Sequence, residues 1–218
     1  MLIISLEFEA IREDLERLRK TRVSPTIFGA DEHKYILNEP VTEAVLTEFE
    51  AKHAIHLPAD YRQFLTEVGN GGAGPYYGVF KLGEMDHYSG WTENDGFVGD
   101  LSKPFPHTEA WNDLADEPDP GTDDDEAYEE QLTVFEERYW SSENVNGAIP
   151  ICHLGCALRQ WLIVTGVEAG HIWCDERVDR KGLFPLSGKT GERVTFYRWY
   201  RDWLDEALRQ LEALENKL

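Results

Sequence analysis

Five side chains suited to metal ligation or nucleophilic attack lie in the last third of the chain: Cys152, His153, Cys156, His171 and Cys174. Thiolates and imidazoles are the usual zinc ligands, and a thiol beside an imidazole is a nucleophile with its base. The spacing argues against both uses. Cys152 and Cys156 do not form a close zinc-type pair, and Cys152 and Cys174 sit in apolar, strand-like runs where a small buried thiol is ordinary packing. A site with Cys156 as nucleophile and His153 or His171 as base has no local signature, and no Gly-x-Ser-x-Gly elbow offers a serine instead. Gly69, Gly71 and Gly74 match the spacing of a dinucleotide-binding loop, but a helical pattern precedes them and a strand pattern follows, the reverse of what that loop needs. Carboxylate pairs are too abundant to single out a glycosidase. The chain therefore reads as a protein that is not an enzyme and calls for no metal or cofactor.

Charge is the stronger signal. There are 42 Asp and Glu against 21 Lys and Arg, a formal net charge of -21. Such a field repels nucleic-acid phosphates and anionic headgroups, which argues against direct nucleic-acid binding and membrane association, and it attracts basic partners. Fourteen of the acidic residues fall between Glu109 and Glu143, where Arg138 is the single basic residue, so this stretch carries more than half of the net negative charge. Acidic residues around aromatic anchors suit recognition of a basic protein surface, with charge aiding encounter and aromatics supplying affinity. The candidate contact set is Trp111, Asp123, Asp124, Asp125, Glu126, Tyr128, Glu129 and Glu130, with Tyr139 nearby. The alternative is a solvated run whose aromatics face the protein's own core.

The elements that must position these residues follow from periodicity. Phe8, Ile11, Leu15 and Leu18 recur at helical spacing and predict a helix ending near Lys20. A short strand is expected around Lys34 to Leu37, then a helix carrying Val41, Val45 and Phe49. A third helix opens at Leu57-Pro58 and presents Tyr61, Phe64, Leu65 and Val68 until Gly69 stops it. Its glycine-rich sequel is a loop with positive φ angles, and Tyr76 to Phe80 reads as a strand with a bulge at Gly78. Residues 101–143 look like an acidic insertion within a single domain spanning 1–218; Tyr128, Leu132, Phe135 and Tyr139 predict a helix entered through the acidic run. Strands follow at Ala148 to Cys152, Leu158 to Thr165 and His171 to Asp175, the last two joined as a hairpin, and a helix from Thr195 covers the sheet. An odd number of cysteines without a secretory leader points to a reducing cytoplasm, and no run is long enough to span a membrane.

The segment Leu57-Pro58-Ala59-Asp60-Tyr61-Arg62-Gln63-Phe64-Leu65, continuing through Gly69-Asn70-Gly71-Gly72-Ala73-Gly74-Pro75 to Tyr77-Gly78-Val79-Phe80, resembles the signature of the SUKH superfamily, with its Smi/Knr-like and Syd-like members. Ala148 to Ile151, Trp161 to Val164, Gly170 to Trp173 and Thr195 to Tyr200 continue it in order, so that the resemblance runs from Val41 to Leu211 with the acidic insertion outside it. The resemblance implies an α+β fold with a mostly antiparallel sheet packed by N-terminal and C-terminal helices. It also implies a bacterial immunity protein that binds and neutralises a cognate toxin, or else a regulatory or scaffold module of the same fold; the concentrated acidity adds the expectation that the toxin is a basic nuclease domain. It brings no catalytic residues.

Overall fold

The computed structural model describes residues 2–21, 26–86, 89–90, 97–121 and 125–217. Helix α1 (Leu2–Lys20) buries Phe8, Ile11, Leu15 and Leu18, the face its spacing predicts. A single turn, α2 (Ala30–His33), precedes α3 (Glu43–His53), which is capped by the Thr42 hydroxyl accepting from Val45 N at 3.4 Å. Helix α3 keeps the face expected of it only in part: Val41 and Phe49 pack half-buried against the core, but Leu46 is the fully buried residue and Val45 is exposed. So short a helix, with few apolar positions, takes its orientation from what it docks against. Helix α4 (Ala59–Gln63) runs into a wider π turn over Phe64–Val68, and Tyr61, Phe64, Leu65 and Val68 all reach the core. The terminal helix α6 (Phe196–Glu215), capped by Thr195, inserts Phe196, Trp199, Tyr200, Leu204 and Leu211 between them. Tyr61 and Phe64 meet the Phe196 ring at 4.8 and 5.0 Å. Asp60 joins the two helices: one carboxylate oxygen accepts from Tyr61 N and the other from Tyr197 N, both at 2.9 Å, so one side chain caps its own helix and α6.

A two-stranded ribbon, β1 (Glu84–Asp86) and β2 (Ser89–Gly90), precedes helix α5 (Asp125–Tyr139). The main sheet is antiparallel in the order β3 (Ala148–Gly155), β4 (Leu158–Ile163), β5 (Ile172–Glu176) and β6 (Gly182–Pro185). Strand β6, the α2 turn and the β1–β2 ribbon had no expectation behind them. Alternation along the strands sends Ile149, Leu162 and Ile172 toward the helices, and Ala148, Trp161, Ile163, Trp173 and Leu183 to the opposite face. Both faces are buried, which is why these strands read as nearly continuous apolar runs. The second face is covered by the acidic stretch itself: Phe105 and Trp111 pack on it, Trp111 pairs with Leu183 as an extra bridge on the β6 edge, and Phe105 N donates to Thr165 O at 2.8 Å.

Two expected strands, around 34–37 and 76–80, shrink to single bridging residues. Leu37 pairs with Gly72, Gly72 with Val79, and Val79 with Cys152, extending the sheet beyond β3 through irregular chain. Lys34, Tyr35 and Tyr76 hold positive φ angles incompatible with a continuous strand, and Gly78 closes a turn onto Pro75 O rather than a bulge. In the glycine-rich loop the left-handed conformation is confined to Gly71 and Gly72; Gly69 is extended at φ 171. A Cβ on Gly71 would stand 2.5 Å from the carbonyl oxygens of Val79 and Phe80, so the loop is a tight backbone crossing and not a ligand cradle.

Candidate functional site

The acidic stretch is two-sided. On its inner side α5 carries Phe135 and Tyr139, both buried and stacked at 5.3 Å, with Tyr139 against the Trp111 ring and the Arg180 guanidinium over both rings. The helix is pinned there by a buried ion pair. Arg177 grips Asp175 through two bonds of 2.9 and 2.7 Å and donates from its third nitrogen to Tyr139 O at 3.2 Å, while Trp161 Nε1 donates to the same carboxylate at 3.2 Å. A cation at the carbonyl end of a helix also complements its dipole. Further restraint comes from Tyr139, whose hydroxyl donates to Asn112 at 2.8 Å. Arg138 bridges to Asp116 and Asp113, and Arg180 to Glu117 at 2.7 Å, tying the preceding loop to the helix.

Trp111 belongs to this inner layer. Its ring is half-buried and stacked between His107 at 5.0 Å and Tyr139 at 5.5 Å, so it braces the loop against the sheet. Tyr128 is half-buried on the same helix. Asp125, Glu126, Glu129 and Glu130 are exposed, and none makes an ion pair with a described residue. Asp125 and Glu126 fall in the first turn of α5, where the dipole favours negative charge. Asp123 and Asp124 lie outside the described residues. The sequence reading missed two outward apolar side chains of this region, Val134 at 64 % exposure and Trp140 at 40 %. Helical phase was the available signal, since both lie off the Phe135 and Tyr139 stripe. Between α5 and the turn at 116–119 runs a cleft of about 650 Å³ lined by Asp116, Glu117, Pro118, Asp119, Glu130, Gln131, Val134, Phe135 and Arg138.

The cysteines and histidines do not converge. Cys152 and Cys174 flank Gln160 across neighbouring strands; Cys152 Sγ donates to Pro75 O at 3.2 Å, Gln160 donates to Cys174 Sγ at 3.6 Å, and Trp199 Nε1 donates to the Gln160 carbonyl oxygen at 2.9 Å. Burial pushes the Cys152 thiol far up and that of Cys174 up to about 11, so both stay protonated and unreactive near neutrality. Cys156 is exposed on the β3–β4 turn, while His171 stands beyond the other end of the six-residue β4, about 20 Å away at ~3.3 Å per residue. His153 stacks on Tyr77 at 5.0 Å. Among the described residues no three His, Cys, Asp or Glu side chains are placed to hold a metal ion, and no helix is long and apolar enough to cross a membrane.

Helices packed on one face of an antiparallel sheet, with a polar, carboxylate-rich cover on the other and no convergent reactive set among the described residues, define an α+β domain whose most prominent chemical feature is a charged surface. The model of the SMI1/KNR4 family (SUKH-1) matches residues 40–179, more than half of the chain, and the chain belongs to that family. The bounds of the match enclose the acidic stretch and stop short of α6. No curated protein and no solved structure matches the chain.

Proposed function

We propose that this protein is an immunity-type antitoxin, which binds a basic protein toxin and occludes it without chemistry, through the outer face of α5 and the loop that precedes it. A nuclease domain is the fitting target, because a groove that binds nucleic acid must be cationic. The observation carrying this reading is the set Asp125, Glu126, Glu129 and Glu130, exposed on one helix and with no ion pair to any cation among the described residues. Family membership supports a protein-binding role, and the rigid inner anchoring of α5 supplies the preorganisation that keeps binding costs low. The test begins with partner capture from the native organism. The captured toxin is then paired with the variant Asp125→Asn, Glu126→Gln, Glu129→Gln, Glu130→Gln. Association at low salt should slow about ten-fold, and added salt should narrow the difference from wild type. An unchanged association rate and undiminished protection of toxin-exposed cells would remove α5 from the mechanism.

A further inference from the structure

We propose that the cleft between α5 and the 116–119 turn is where this surface grips its partner, receiving one lysine or arginine side chain projected from a short basic segment. The inference rests on the protein-binding reading of α5 and names its point of contact. Val134 is 64 % exposed and forms one side of the cleft, an apolar side chain at an outward position among carboxylates. Pro118 and Phe135, both buried, and Glu130, exposed, line the same cleft. The cations at the cleft are already paired: Arg138, which lines it, is bonded to Asp116, and the Arg180 guanidinium lies 5.3 Å from the Phe135 ring centre and pairs with Glu117 at 2.7 Å. Those bridges leave the Glu130 carboxylate without an ion pair among the described residues.

Lysine and arginine carry an aliphatic stem and a charged head, and they bury the one while solvating or pairing the other. The stem matches Val134 and Pro118; the head matches Glu130. An anionic ligand meets the repulsion of the lining carboxylates, and a purely apolar one would desolvate them without compensation. At about 650 Å³ the cleft exceeds a single side chain, so the flanking backbone enters with it.

The test uses the full chain with ¹³C-labelled valine methyls, titrated with an acetylated, amidated hexalysine peptide. Val167, 83 % exposed, and Val178, 42 % exposed, serve as internal controls. The Val134 methyls should shift first and saturate while those of Val167 and Val178 stay still. By isothermal titration calorimetry with the same peptide, half-saturation of Val134→Lys, where a tethered ammonium occupies the cleft, should rise about five-fold or more, whereas Val167→Lys, with the same added charge elsewhere, should raise it less than about two-fold. Equal movement of all three valines, or equal weakening by both lysine variants, would reduce the cleft to part of a diffuse acidic field and overturn the proposal. Because the peptide assay needs no toxin, the two readings fail separately. A Val134 response without immunity refutes the antitoxin function, and immunity lost with α5 charge but without a Val134 response refutes the cleft.

Discussion

The two faces of the central sheet are buried by opposite means. The helical face is an apolar core in which α1, α4 and α6 interlock aromatic rings, and Phe8, Ile11, Phe64, Phe196 and Leu204 exclude water almost completely. The other face has a smaller apolar cluster around Trp161, Ile163 and Trp173, and its cover is held by directional polar bonds: Arg177 to Asp175 and to Tyr139 O, Tyr139 to Asn112, Arg180 to Glu117. The contrast bears on function. A face closed by hydrophobic packing has little polar chemistry to offer a partner, whereas a cover fixed by a few bonds can turn its remaining side chains outward. Helix α5 does both, with Phe135 and Tyr139 inside and Glu129 and Glu130 outside.

The comparison breaks most sharply at Phe196. Its replacement by alanine leaves a void among Tyr61, Phe64, Trp199 and Tyr200 and should cost about 3–5 kcal/mol in chemical denaturation. A loss under about 1 kcal/mol would mean that the helical face can collapse around the gap. On the second face Arg177→Met strands the buried Asp175 carboxylate and should cost about 3 kcal/mol, while Arg177→Met with Asp175→Leu should recover much of it, because removing both charges removes the uncompensated one. A double variant no more stable than the single would show that the bond from Arg177 to Tyr139 O, and not the charge pair, anchors α5. The smallest effect is expected at the joint of the helical face: Asp60→Ala leaves Thr195 in place but loses the second side-chain acceptor for the first turn of α6 and should cost about 1–2 kcal/mol, with Asp60→Asn retaining part of it by preserving an acceptor oxygen. Equal melting temperatures for wild type and alanine variant would argue that water replaces the cap.

Much of this architecture was legible in the chain. The α1, α4 and α6 stripes, the β4–β5 hairpin and the entry of the acidic run into a helix all carry strong local periodicity, and the structure keeps them. The Leu57-Pro58-Ala59-Asp60-Tyr61 segment was legible as a family signature, yet the reason for its aspartate was not: Asp60 serves a helix that begins at Phe196, and no local pattern records a bond across that separation. The bridges at Leu37, Gly72 and Val79 escaped for the same reason, since one paired residue leaves no alternation to read.

For the surface, the sequence by itself determined the sign and location of the charge, because ionisation belongs to residue type and the acidic residues are contiguous in the chain. It could not decide which aromatic looks outward. Trp111 and Trp140 are both tryptophans flanked by acidic residues, but Trp111 is sandwiched between His107 and Tyr139 while Trp140 remains 40 % exposed. That choice is made by the fit of the loop against the Trp161–Trp173 face of the sheet and of Tyr139 against the loop. Burial of a large side chain depends on the partners that arrive from elsewhere in the chain, and only the tertiary structure brings them together.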